Sequence, residues 1–399
     1  MNTQDTKVHI GLWNKEFWLM AIANLLLSMA VTMLIPTLPI WLKELAALNH
    51  EQVGLAMGAF ALGLFLPGAF CSYLVQQYRR NVVFIVSVLV LAVSMTLPFY
   101  PLPALHTFSL LIAWRVVQGA AFGLAQMVLT STLIIDTCES HQRTEANHSA
   151  TWFGRFALSL GPMCGLLLMQ LSGLMVPASI PATPMSTLNV FFLAVVCCLA
   201  AVVLVLFIRF PFRVPEDNVH LFSLDRFFLV SGWPLFLNLF LVTLAIGMLM
   251  SLPVPVNAYG MVMVGFLLAL LAQRFVFSNA ELKSEAIAGM LLIGASLIIL
   301  LASRYSPLTT PILGLGLGLV GGRFLLFFVK LSRHCQRGTS QSTFMLGWES
   351  GLAVGVGLGF YMFSGRAMAM LFTAFVLVGI ALLTYVIWTH KWFLEHKNR

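Results

Sequence analysis

Four ionisable side chains, Arg115, Arg155, Arg323 and Glu349, stand well inside long apolar stretches of this 399-residue sequence. Charged groups in such surroundings are costly, and they mark ion or solute pathways unless they are paired. Glu349 is the only acid far from the end of any apolar stretch. Desolvation raises a carboxyl pKa, and a neighbouring cation lowers it. A pair that forms in one state of the molecule and breaks in another would therefore take up and give off a proton. On that chemistry Glu349 is the expected titratable centre, with Arg155, Arg115 and Arg323 as its charge network. The same residues also fit static duty, as a buried ion pair or as a Glu349 satisfied by Arg323. Arg323 has a further option, since its long side chain can reach toward the nearer surface. Three deep cations against one acid favour an anionic or acidic amphipathic solute in any cavity they line.

The elements that must hold these groups are membrane helices. The chain is 60% hydrophobic and 9% charged, against about 25% charged in a soluble domain. Crossing the hydrocarbon layer takes about 20 apolar residues. Twelve runs qualify: 17–42, 53–75, 82–103, 108–135, 147–172, 188–209, 227–250, 254–277, 283–303, 309–331, 341–364 and 367–390. A membrane barrel would instead alternate apolar and polar residues. The first run is too long for a signal peptide's core and ends at Lys43 and Glu44 without a small-residue cleavage site. The expected fold is an all-α membrane protein of twelve transmembrane helices.

The net charge of +8 does not form a basic face for nucleic acid. Its charges cluster between the runs. Alternate connections hold Lys7 and Lys15; Arg79 and Arg80; Arg143; Arg209, Arg213 and Arg226; Arg274 and Lys283; Lys330, Arg333 and Arg337; and Lys391, Lys397 and Arg399. The other set holds only Lys43, Arg304 and Arg366, so the count is 16 against 3. The positive-inside rule puts both termini in the cytoplasm, as an even number of spans also requires. The segment 210–226, PFRVPEDNVHLFSLDR after Phe210, reads as a cytoplasmic tether between an N-terminal six-helix half, 1–209, and a C-terminal one, 227–399. The Pro-, Ser- and Thr-rich stretch 172–189 reads as a mobile outer loop.

A shift of 194 residues lays SHQRTEANHSATWFGRFALSLGPMCG (140–165) over HCQRGTSQSTFMLGWESGLAVGVGLG (334–359). Gln142 and Arg143 fall on Gln336 and Arg337, Gly161 and Gly165 on Gly355 and Gly359, and Arg155 on Glu349. Parallel repeats related by an axis along the membrane normal would put Arg155 and Glu349 at one depth, on opposite sides of a central cavity. Asp136 and Lys330 are likewise matched, near the cytoplasmic ends.

With these motifs the chain resembles the major facilitator superfamily over nearly its whole length. LIPTLPIWL (34–42) is similar to the proline-containing outer end of that family's first helix. Arg115-Val-Val-Gln118-Gly119 is similar to the RxxQG of proton-coupled members. Gly161-Pro162 followed by Gly165 is similar to the GPxxG of the exporter branch. The loop motif GxLADRxGRR is degraded to Ser72-Tyr-Leu74-Val-Gln76-Gln77-Tyr-Arg79-Arg80-Asn81. Gln76 stands where the family has an acid that latches the cytoplasmic gate, which leaves Arg80 to pair with Asp136. The resemblance implies two pseudo-symmetric halves and alternating access. It also implies that Asn24, Thr32, Gln118, Gln126 and Asn238 line the cavity, although amides in membranes also simply join helices. Trp152, Trp233 and Trp348 fit either contact with a hydrophobic solute or packing.

Enzyme chemistry has no signature here. GLGLGLVGG (314–322) lies inside an apolar run with no strand before it, which suits close helix packing rather than a dinucleotide. The histidines lack metal-site spacing, with His141 and His148 at a loop or helix end, and the six cysteines form no CxxC. No cofactor, metal or nucleic acid is expected. The expected partners are a small-molecule substrate, protons and the lipid bilayer, for a monomer in a cell membrane, by its lean form a bacterial inner membrane. The expected function is a secondary transporter, by the helix 5 motif a proton-coupled exporter. The alternatives are an importer by symport or uniport, and a non-transporting sensor or scaffold, which would carry a soluble domain or long tail.

Overall fold

The computed structural model describes residues 11–44, 46–100, 107–139, 141–175, 182–210, 220–303 and 307–398. Among them the chain winds into twelve helical rods and no strand. These are α1 (Lys15–Glu44), α2 (His50–Phe65 continued by Gly68–Gln77), α3 (Arg80–Phe99) and α4 (Phe108–Thr137). There follow α5 (Arg143–Met175), α6 (Ala182–Leu206), α7 (Val230–Met250) and α8 (Val256–Phe275). The last four are α9 (Leu282–Ser303), α10 (Thr309–Leu331), α11 (Arg337–Phe363) and α12 (Ala367–His396).

Ten of the rods are long and apolar enough to cross a membrane as they stand, and α2 makes an eleventh if its bent pair counts as one span. α11 has the length but a polar start, RGTSQST, and it carries Glu349. Its residues from Thr339 to Trp348 are buried by other helices, which is where polar groups in a membrane protein are tolerated.

Local chemistry explains the ends and the breaks. The Asn14 side chain caps α1 by accepting from Phe17 N at 2.9 Å, and Asn49 with Gln52 forms a capping box on α2. α1 breaks at Met33, because Pro36 has no N–H to offer the preceding turn. α2 bends by 46° at Leu66 and Pro67. α4 winds into a π-helical turn over Leu129–Leu133, and α12 does so over Tyr385–Thr389. The stretch expected as an outer loop over 172–189 is shorter than that, since α5 runs to Met175 and α6 starts at Ala182, with 176–181 outside the described residues. Of the segment 210–226, residues 211–219 also lie outside them, as do Lys7, Arg304 and Arg399.

Two large apolar cores form, beside a small third cluster of Leu244, Met248 and Met370. One gathers residues from Leu12 to Phe227, together with Leu346 and Val356 of α11. The other gathers residues from Leu229 to Phe393, together with Trp152 and Leu158 of α5. Thus α5 and α11 each reach into the opposite core and line the seam between the halves. They start at Arg143 and Arg337, in the register of the sequence repeat. Gly161 and Gly165 of α5 pack on Thr32 and Met33 of α1, as Gly355 and Gly359 of α11 pack on Gly247 of α7 and on Ser251, which caps that helix. Small residues let helices approach closely where lipid offers no hydrophobic drive. The GLGLGLVGG stretch of α10 serves the same end, with Gly314 against Gly265 of α8 and Gly316 against Gly289 of α9.

Candidate functional site

The seam helices α5 and α11 carry Arg155 and Glu349. Glu349, on α11, meets Gln126, on α4, whose Nε2 donates to the carboxylate Oε1 at 3.5 Å. Gln126 is buried, and its backbone carbonyl accepts from Thr130 Oγ1 at 2.8 Å, where the π-turn of α4 begins. π-turns inside α-helices recur at functional sites. Among the described residues no cation forms an ion pair with Glu349.

Arg155 is 2% exposed and stands in a box of aromatic rings. Its guanidinium carbon lies 4.8 Å from the Trp152 ring centre, 5.6 Å from Trp348 and 5.7 Å from Phe344. Among the described residues its three nitrogens have no hydrogen-bond acceptor, and neither does Trp152 Nε1. Gly321 of α10 closes the box, and a Cβ there would stand 2.7 Å from Arg155 Nε. Trp152 and Arg155 come from one half, Phe344 and Trp348 from the other. The Arg155–Glu349 pair suggested by the repeat is not formed in this state, because Arg155 stacks beside Trp348 rather than reaching its neighbour Glu349.

The remaining sequence candidates fall into separate groups. Arg115 donates to Gln118 Oε1 at 2.6 Å and lies over the Phe60 ring at 4.9 Å, one turn apart on α4. Arg323 is ion-paired to Glu285 of α9, which also accepts from Gln273 Nε2 of α8 at 2.7 Å. Arg323 therefore belongs to a buried network within the C-terminal half and does not reach Glu349. Glu285 escaped sequence reasoning because it lies in the first turn of its helix. Asn24 donates to Ala150 O at 2.9 Å and Thr32 to Ala157 O at 2.8 Å, joining α1 to α5. Asn238 joins α7 to α12 through Ala381 O at 2.8 Å. Gly161 and Gly165 seat α5 on α1, with Pro162 inside the helix. Arg80 is ion-paired to Asp136, while Gln76 is half-buried near the end of α2.

On the face where α1 starts and α12 ends the halves meet around a cavity of about 180 Å³. There a Cβ on Gly338 would stand 2.8 Å from Ser131 O, and Gln341 donates to Thr151 Oγ1 at 2.9 Å. On the opposite face a vestibule of about 510 Å³ opens between the halves, lined by Pro36, Lys43 and Leu166 on one side and Met250, Tyr259 and Phe363 on the other. Ser159 Oγ, one turn beyond Arg155 on α5, donates at 2.5 Å to the backbone carbonyl of Tyr259, which lines the vestibule. Among the described residues no group of His, Cys, Asp and Glu could hold a metal ion.

Residues 20–374 match the family model described as Major Facilitator Superfamily. The chain belongs to the Major Facilitator Superfamily. It is 26% identical over 159 residues to the quinolone resistance protein NorA of Staphylococcus aureus (strain MRSA252), a match covering 40% of this chain and 39% of that protein. The chain thus spans about two fifths of the length of the curated relatives it matches. Among solved structures it resembles the human organic anion transporter MFSD10 (TETRAN), with a TM-score of 0.64 at 16% identity, over 92% of this chain and 98% of that one. It also resembles the proton:xylose symporter XylE, with a TM-score of 0.65 at 11% identity, over 94% and 95% of the two chains. These likenesses establish the superfamily fold, which serves many solutes.

Proposed function

We propose that this superfamily member is a secondary transporter that exports a small solute in exchange for protons, with Glu349 as the proton carrier. The observation that carries the reading is the Glu349 carboxylate at the seam, bridged to the other half by the 3.5 Å bond from Gln126 and, among the described residues, in no ion pair. A group so lightly held at a moving boundary changes its surroundings when the halves rock, and a change in surroundings is what drives uptake and release of a proton. The excess of Lys and Arg on the face with the chain ends makes that face cytoplasmic, so the vestibule faces outward. The likeness to a quinolone resistance protein supports export.

The test is purified protein in liposomes with an internal pH dye, comparing wild type with Glu349→Gln across a panel of solutes. Solute-triggered proton movement that disappears in the variant, with folding intact, is the expected result. Solute flux without proton movement would make the protein a uniporter, and full proton coupling in Glu349→Gln would remove Glu349 from the mechanism. Co-directional movement of solute and protons would turn the reading to symport.

A further inference from the structure

We propose that the aromatic box around Arg155 is the solute's recognition site and that it selects a flat aromatic solute bearing a carboxylate. The inference rests on the transport reading and names its substrate class.

Four buried nitrogens converge there with no acceptor among the described residues: Nε, Nη1 and Nη2 of Arg155, and Nε1 of Trp152. Arg155 is 2% exposed and Trp152 3%. Buried donors nearly always have partners, and one left unmade costs as much as a hydrogen bond contributes, more when it is charged. The rings offer the guanidinium their π faces at 4.8 to 5.7 Å, which eases the burial of its charge but gives its N–H groups no oxygen. A static role would have been filled by a carboxylate, as Glu285 does for Arg323 in the same protein. The missing partner is an anion with two oxygens, because the guanidinium fork matches a carboxylate bidentately.

The surroundings define the rest of the solute. Trp152 continues into Phe156 at 5.8 Å and Phe266 at 6.2 Å, and Trp348 into Phe344 at 6.0 Å. A ring attached to the carboxylate would meet offset and edge-on aromatic partners on both sides. The walls belong to different halves, so parting the halves opens the box, and Ser159, one helical turn from Arg155, is bonded to the carbonyl of Tyr259, a lining residue of the vestibule.

The experiment is equilibrium binding of radiolabelled 2-naphthoate to the full chain in lipid nanodiscs, with no gradient imposed. Unlabelled 2-naphthamide, which is neutral, and cyclohexanecarboxylate, which is not aromatic, serve as competitors. We expect saturable binding, competition by both at least about tenfold weaker than by naphthoate itself, and a loss of at least about tenfold in Arg155→Gln. Trp152→Phe keeps an aromatic ring but removes the indole N–H and part of the ring surface, and should weaken binding several-fold even if Arg155→Gln fails to fold. Absence of saturable binding, equal competition by the amide, or naphthoate affinity unchanged in a folded Arg155→Gln or in Trp152→Phe would overturn the proposal. Because binding is read without a proton gradient, its failure is distinct from a failure of proton coupling in Glu349→Gln.

Discussion

The Gln126 amide on α4 donates to the Glu349 carboxylate on α11 at 3.5 Å, joining residues 223 positions apart and the two halves of the protein. That length is at the outer limit of a hydrogen bond. Its loss should therefore cost about 1 kcal/mol or less. Gln126→Leu is expected to melt within a few degrees of wild type while solute-triggered proton flux in liposomes falls several-fold, because the carboxylate loses the one group that fixes its position. A large drop in melting temperature with flux per folded molecule unchanged would make the contact structural.

Arg323 and Glu285 present the contrasting case. Their side chains are 11% and 1% exposed, and Gln273 donates to the same carboxylate. Removing one member strands a buried charge, at a cost of about 3–5 kcal/mol, whereas replacing both with apolar residues of similar volume is close to neutral. Glu285→Leu and Arg323→Met should each lower the thermal transition strongly, and the double variant should recover most of it. Proton-coupled flux in the double variant should match wild type. A double variant that is stable yet uncoupled would return Arg323 to the mechanism.

Much of this architecture was legible in the sequence, and the limits have a physical cause. Length and apolarity mark the helices, and the 194-residue repeat anticipates the matched starts of α5 and α11 at Arg143 and Arg337. Depth along a helix is also legible, so Glu349 and Arg155 stand out as deep charges. Rotation about the helix axis is not. Each residue turns by about 100°, from 3.6 residues per turn, and helix packing decides which neighbour a side chain meets. Hence Arg155 and Glu349 share a repeat position, yet one stacks among rings and the other meets an amide. The amides of Asn24 and Asn238 bond neighbouring helices of their own halves for the same reason. The polar start of α11 reads as a weaker membrane segment, since sequence alone cannot show that other helices enclose it.

The α1–α5 contact tests the exporter-like motif as packing. A Cβ on Gly161 would collide with Thr32 Oγ1 and stand 3.0 Å from Met33 N. Backbone cannot yield there, and overpacking costs about 1–3 kcal/mol. Gly161→Ala should lower the melting temperature, whereas Gly173→Ala on the same helix, with nothing within 4 Å of its Cβ, should leave it level or raise it, as helix propensity favours alanine by up to about 1 kcal/mol. Equal effects at the two sites would deny Gly161 its packing role.

The α2–α11 contact holds the halves together beside the vestibule. A Cβ on Gly357 would stand 2.7 Å from Gly58 Cα and 2.9 Å from Gly54 O, all backbone on the facing helix, so a larger residue must push the halves apart. Val356, 2% exposed and packed in the N-terminal core, reports on that opening. In a Cys335→Ser background, Val356→Cys should react several-fold faster with a membrane-impermeant thiol reagent when Gly357→Val is added. Gly379→Val on α12, where nothing lies within 4 Å of a Cβ, should not change the rate. An unchanged rate in Gly357→Val would mean that the helices bend locally and that this contact does not hold the gate.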